Sequence, residues 1–177
     1  MSTIVALGPD HGEALLRFFR ELPEGDLTFI KEDVTDPDTV KGWTSGDDRA
    51  SRWVALDGET VLGYVAVRRL SGWSDHVGEV RLVVSPAARG TGLGRQLARH
   101  ALVQAVEAGI TKLVVEVVAE QGAALALFTE LGFSGEALLR DQIRDREGTL
   151  RDLMVLAHHV GETWSGMETV GVTEALG

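Results

Sequence analysis

The sequence predicts an α/β (α+β) domain: a mixed, mostly antiparallel seven-stranded sheet with a parallel central β-α-β unit and four helices. Three observations carry that prediction. The apolar run Val80, Leu82, Val83 and Val84 stops at Ser85-Pro86. Glycines 90, 92 and 94 then open a helix in which Leu93, Leu97, Ala98, Ala101, Leu102, Ala105 and Val106 recur at helical spacing. A second apolar run over residues 112–117 follows that helix, and the crossover rule makes it parallel to the first. Asp57-Gly58, set between two β-rich runs, is the strongest hairpin signal in the chain.

Taken in order, residues 4–7 read as a short apolar strand. Asp10, with Glu13 three residues on, resembles a capping box opening a helix whose apolar face is Leu15, Leu16, Phe18, Phe19 and Leu22; Pro23 ends it. Residues 24–38 are acidic, with Glu24, Asp26, Glu32, Asp33, Asp36 and Asp38 against Lys31 alone, and a short helix is expected over 37–43. Residues 52–56 and 60–69 form the hairpin, packed by Trp53, Val54, Val61, Leu62, Tyr64, Val65 and Val67. A loop at 71–75 leads into the central strand, residues 77–84. After the long helix and the parallel strand, residues 123–131 form a helix closed by Gly132. Two strands, 133–144 and 149–158, turn at Arg146-Glu147-Gly148. Residues 161–177 show no periodicity. They are expected as a C-terminal tail beyond a domain spanning 3–160, or as an arm carrying Trp164 and Met167 onto the body or onto the second subunit of a homodimer.

With 177 residues the chain is one domain by length and needs no disulfide or metal staple. It contains no cysteine, which excludes a thiol nucleophile and a disulfide framework and points to the cytoplasm. No apolar run approaches the ~20 residues of a membrane span. With 17 basic and 27 acidic residues and a net charge of -10, nucleic acid is excluded as a main partner. The histidines at 11, 76, 100, 158 and 159 lack metal-ligand spacing, so surface or strand-end roles are expected.

A glycine loop between strand and helix is suited to an anion. The first helical turn leaves N–H groups unpaired at the positive end of the macrodipole, and glycine permits the positive φ of an anion-binding nest. No Asp or Glu occurs from Ser85 to Val106, whereas Arg89, Arg95 and Arg99 do. A nucleotide P-loop is excluded because no Gly-Lys-Ser/Thr follows the glycines. The dinucleotide fingerprint has an acidic mimic in Glu116, but Arg95 and Leu97 occupy its third-glycine positions and Pro86 separates strand from loop.

Arg89-Gly90-Thr91-Gly92-Leu93-Gly94 resembles the Gln/Arg-x-x-Gly-x-Gly/Ala signature of the GNAT N-acetyltransferases. Leu82-Val83-Val84-Ser85-Pro86 is similar to the strand that precedes it in that family, and Leu131-Gly132-Phe133 stands where the family has its LGF. The element order matches the GNAT fold over residues 3–160. The resemblance implies an acetyl-CoA-dependent N-acetyltransferase, with acetyl-CoA in a V-shaped opening between the fourth and fifth strands. The pantetheine arm would pair with the backbone of Leu82, Val83 and Val84. A bulge there would free the N–H of Val83 or Val84 to polarise the thioester carbonyl. The diphosphate would lie on Arg89, Gly90, Thr91, Gly92, Leu93 and Gly94, with Arg95 beside it.

The same resemblance puts Gln121 and Phe128 where the family often has an Asn that binds pantetheine and a Tyr that protonates the departing thiolate. Phe128 cannot give a proton, and the only tyrosine, Tyr64, lies on another strand. Glu79, where many members carry Glu, is the candidate general base, set against a structural role paired with Arg81, Arg68 or His76. Glu116 reads as an edge or cleft-wall residue. The acceptor would be a small-molecule or peptide amine, walled by residues 24–38 and 141–152, whose acids suit a cationic amine. A non-catalytic acetyl-CoA-binding sensor is the rival reading that Phe128 motivates.

Overall fold

A computed structural model describes residues 1–46 and 49–161. Seven strands form one sheet: β1 (Thr3–Ala6), β2 (Ala50–Asp57), β3 (Thr60–Arg69), β4 (Val77–Val84), β5 (Lys112–Val118), β6 (Ser134–Arg144) and β7 (Leu150–His159). Their spatial order is β1-β2-β3-β4-β5-β7-β6, and only β4 and β5 run parallel. The helices are α1 (Gly12–Arg20), α2 (Glu24–Leu27), α3 (Pro37–Ser45), α4 (Leu93–Glu107) and α5 (Gly122–Glu130). Of the expected tail, residues 162–177 lie outside the described residues. No helix among the described residues is long and apolar enough to cross a membrane.

The single turn α2 is an addition to the four expected helices. Its N-cap residue, Pro23, accepts from Leu27 N–H at 3.1 Å, so this piece of the acidic stretch is held against the body as helix. The expected capping box on Asp10 and Glu13 does not form: instead the Gly8 N–H donates to His11 Nδ1 at 3.0 Å, which gives that histidine a local structural role. Asp36 does cap α3, accepting from Asp38 N–H at 3.1 Å, and Gly46 ends it at φ 75°. Asp145 organises the last turn by accepting from the N–H groups of Glu147 and Thr149 at 3.0 and 2.8 Å.

The core lies on both faces of the sheet. On one, α4 buries Leu93, Leu97, Ala98, Ala101 and Ala105 against Val65, Val67 and Val80. Close approach there demands glycine, because a Cβ at Gly63 would sit 2.6 Å from Leu97 Cδ1. On the other face, Leu15, Phe18 and Phe19 of α1 and Val40 of α3 cover Val54, Tyr64 and Ala66. α1 and α3 therefore stand over β2 and β3 and leave the front of β4 and β5 open.

Candidate active site

β4 and β5 pair only from Val77↔Lys112 to Val80↔Val115, although β4 continues to Val84 and β5 to Val118. Beyond Val80 the two strands diverge, and a cleft of about 570 Å³ opens between them. The free edge of β4 follows from its pairing with β3. Ser85 donates to Leu62 O and Leu70 to Val77 O, each at 2.9 Å, so the odd-numbered residues of β4 form the hydrogen-bonded pairs with β3. The N–H groups of Leu82 and Val84 consequently point into the gap, and that of Val83 faces Tyr64. This corrects two expectations. The β3–β4 register is continuous from Gly63↔Val84 to Arg69↔Gly78, so β4 carries no bulge, and Val83 is not a donor to the cleft. Divergence from β5 exposes the edge without one.

At the end of that edge lies the glycine loop. Gly90 and Gly92 have φ of 76° and 87°, and nothing lies within 4 Å of the place a Cβ would take at either. Packing does not require these glycines, and conformation does. Gly92 caps α4, whose first bond runs from Gln96 N–H to Gly92 O at 3.1 Å, leaving the N–H groups of Leu93, Gly94 and Arg95 unpaired. Thr91 is turned inward, its hydroxyl donating to Ala88 O at 2.6 Å. A Cβ at Gly94 would touch Val84 Cγ2 at 3.5 Å and Leu127 Cδ2 at 3.6 Å, so that position is small because β4 and α5 are close. Loop, strand edge, Gln121 and Phe128 line one continuous cleft.

The arginines are less free than the sequence suggested. Arg89 donates to Asp26 Oδ2 at 2.6 Å and to Val84 O at 3.3 Å, and Arg95 pairs with Glu130. Gln121 accepts from Val118 N–H at 3.2 Å through Oε1, which leaves its Nε2 for a ligand. Phe128 is buried edge-on against Phe133, with centroids 5.2 Å apart.

Across the sheet from this cradle, alternation places Tyr64, Ala66 and Arg68 of β3 opposite Val83, Arg81 and Glu79 of β4, on one face. Arg81 is the hub: it pairs with Glu79 and reaches Glu116 at 3.6 Å and Glu32 at 3.9 Å, while Lys31 pairs with Glu116 at 2.7 Å. Glu79 thus has the arginine partner that its structural role required. Its Oε1 is nonetheless buried with no donor in hydrogen-bond geometry, so the contact is ionic, and the carboxylate lines the cleft. Glu116 is a wall residue on an interior strand rather than an edge.

Of the two segments expected to wall the acceptor, 24–38 does so through Asp26, Phe29, Ile30, Glu32 and Val34. The turn over 141–152 does not line the cleft; its Arg146 pairs with Glu24 of the other segment, 3.5 Å apart. In its place stand residues that the sequence analysis left unassigned. Arg52 lies 4.9 Å from the centroid of the Trp43 ring, Trp43 stacks on Tyr64 at 5.5 Å, and Arg52 Nε donates to the Tyr64 hydroxyl at 3.1 Å. The period-two alternation of β2 and β3 was the available signal, since it sets Arg52, Tyr64 and Arg68 on Glu79's face. His158, for which a surface or strand-end role was expected, stands next to the end of β7 but is buried against Phe133, and burial pushes its imidazole below the usual histidine range. Its Nδ1 has no hydrogen-bond partner among the described residues.

A strand pair splayed around a cleft, with an anion cradle at the end of one exposed edge, defines a class of acyl-CoA-binding domain. Residues 16–133 match the model of the Acetyltransferase (GNAT) family, and the chain belongs to that family. It is 30% identical over 122 residues to a streptothricin acetyltransferase of Streptomyces lavendulae, covering 62% of this chain and 65% of that one. Among solved structures it resembles a ribosomal-protein-alanine N-acetyltransferase from Brucella melitensis, with TM-score 0.79, 24% identity and coverage of 89% and 99%. It also resembles Salmonella typhimurium yncA with its cofactor acetyl-CoA, with TM-score 0.77, 20% identity and coverage of 90% and 94%. The matches span between 20% and 65% of the length of the curated relatives.

Proposed function

We propose that this protein transfers the acetyl group of acetyl-CoA to a primary amine of a small molecule or peptide, by direct attack. The observation that carries the reading is the open edge of β4, followed after the turn at Pro86–Ala88 by the Gly90 to Gly94 cradle, with Glu79 in the same cleft. The residues fit the cofactor: free N–H groups at the start of α4 suit the diphosphate, those of Leu82 and Val84 suit the pantetheine and the thioester carbonyl, and Gln121 Nε2 can donate to an amide. Bound acetyl-CoA would supply the activated acetyl group.

The chain's own part is proton handling and placement. An acceptor reaches the cleft as an ammonium, with a pKa of ~10.4 for a lysine-like amine, and freeing it near neutral pH costs about 4 to 5 kcal/mol. Glu79, held by Arg81 and opening onto the cleft, takes that proton directly or through a water. Nitrogen then bonds to the carbonyl carbon, the oxygen is held by a β4 N–H, and the C–S bond breaks to expel CoA thiolate as nitrogen loses its second proton to solvent, from which the thiolate is protonated.

Acceptor-dependent release of CoA thiol across polyamines, amino acids, aminoglycosides and peptides tests this, with Glu79→Gln alongside. The expected loss in kcat/KM is about 10²- to 10⁴-fold. Activity that survives the substitution removes Glu79 from the role. Tight acetyl-CoA binding with no release for any amine favours the sensor reading that Phe128 motivates, and failure to bind acetyl-CoA overturns both.

A further inference from the structure

Resting on that transferase reading, we propose that the acceptor amine carries a carboxylate, and that Arg68 receives that carboxylate at the end of the cleft away from the cofactor.

The charges of the cleft are almost entirely spoken for. Asp26 is taken by Arg89, and Arg81 gathers Glu79, Glu116 and Glu32. Arg68 is the exception. Its side chain has no ion pair or hydrogen bond among the described residues, although it lines the cleft and stands directly opposite Glu79 in the β3–β4 register. Glu79 turns to Arg81 instead, so the Arg68 charge is left uncompensated. Residues directly opposite on neighbouring strands have Cβ atoms about 5 Å apart. A short acceptor whose ammonium approaches Glu79 therefore has Arg68 within reach of a group a few bonds away.

A second cavity also has Arg68 in its wall. It measures about 510 Å³ and is lined by Arg49, Arg68, Arg69, Leu70, Ser71 and Ser74, with no carboxylate among the described residues of its wall. Arg49 donates to Leu70 O at 3.0 Å, and Arg69 donates to Asp75 O at 2.7 Å and to Ala108 O. Backbone carbonyls orient these guanidiniums without cancelling their charge. Arginine charge left unmatched at this end of the cleft, in a chain of net charge -10, attracts an anion. Guanidinium and hydroxyl donors together match a carboxylate's acceptors. A polyamine, by contrast, would bring a further cation to this end.

The test reads binding and turnover separately. CoA-saturated protein is titrated calorimetrically with N-acetyl derivatives of the common α-amino acids and with their C-terminal amides, in wild type, Arg68→Met and Arg68→Lys. At least one carboxylate is expected to bind about ten- to a hundredfold tighter than its amide. Arg68→Met should shrink that ratio below about threefold while leaving the amide unchanged, and Arg68→Lys should restore part of it. No preference in any pair, or a preference that persists in Arg68→Met, overturns the proposal. Thiol release with the free amino acids and amino amides separates the two readings. Carboxylate-selective binding without release keeps the subsite and sinks the transferase, whereas equal release from acids, amides and diamines keeps the transferase and sinks the subsite. Circular-dichroism melts of each variant show that the changes are not unfolding.

Discussion

Replacing Gly92 by Ala isolates what the glycine loop contributes. Gly92 sits at φ 87° and ψ -1°, and a Cβ there would meet nothing within 4 Å. The cost is therefore conformational alone, about 1 to 2 kcal/mol for an L-residue in the left-handed region. If acetyl-CoA binding requires that conformation, the strain that the free loop relaxes must be restored on binding, and Kd rises by about 5- to 30-fold. Titration with acetyl-CoA and with acetyl-pantetheine, which lacks the diphosphate, locates the effect: the loss should be confined to acetyl-CoA. Gly63→Ala is the contrast. Its Cβ would stand 2.6 Å from Leu97 Cδ1 and 3.3 Å from Val83 O, which is overpacking worth about 1 to 3 kcal/mol of stability. Because Gly63 pairs with Val84, that strain reaches the strand edge and should weaken both donors alike. Equal weakening of both donors by Gly92→Ala, or no change in Kd, refutes the assignment of the loop to the diphosphate.

Asp26→Asn releases Arg89 from its 2.6 Å partner. Both groups are partly exposed, so the gain in acetyl-CoA affinity should not exceed about fivefold, with a steeper salt dependence in titrations from 50 to 300 mM salt. His158 predicts a pH dependence of stability, because burial lowers its folded value and favours the neutral ring. Around it stand the Phe133 ring, the Leu131 and Gly132 carbonyls and the neighbouring His159. Above the unfolded value of ~6.5 both states are neutral and stability is full. As pH falls from there toward the lowered folded value, the unfolded chain gains a proton that the native state refuses, and stability drops. Chemical denaturation from pH 8 to 5 should show that fall in wild type and a flatter profile in His158→Leu. Finally, kcat/KM against pH should rise to a plateau with no descending limb below about pH 9; a bell-shaped profile reveals an acid that the cleft does not display.

Local patterns made most of the architecture legible. The bounds of β4 and the end of α4 were readable because Pro86, the glycines and the 3.6-residue apolar period all act within a few residues of one another. Asp57-Gly58 set the β2–β3 register for the same reason. What escaped depends on partners distant in sequence. The divergence of β5 from β4 after Val80 was expected only through the family resemblance, since the strands themselves carry apolar residues (Leu82, Val84, Val117, Val118) beyond Arg81 and Glu116. Arg89 looked like a phosphate ligand because its carboxylate partner, Asp26, lies 63 residues earlier. Burial of His158 is likewise decided by Phe133 and the end of α5, not by neighbours in the chain. One wall of the cleft was misplaced, because acids counted in residues 141–152 say nothing of whether that turn reaches the cleft or of the arginines that other strands bring there.

The cleft displays no obvious acid, and the chemistry explains why none is required. Phe128 is sealed edge-on against Phe133, and the Tyr64 hydroxyl is turned to Arg52 on β2, on the far side of β3 from the gap where a thioester would lie. A departing thiolate has a conjugate acid of pKa ~8.5, so near neutral pH it leaves without full protonation. The nitrogen that has attacked the carbonyl carries a proton more acidic than that of the parent ammonium, and losing it drives the collapse that expels sulfur. Demand for proton transfer therefore falls on removal from nitrogen, where Glu79 and Arg81 stand, and not on delivery to sulfur. Arg81 fixes the Glu79 carboxylate in place and offsets the repulsion among Glu79, Glu116 and Glu32 that would otherwise disperse them. For the proposed transfer, placement of the Glu79 carboxylate is what this arrangement secures.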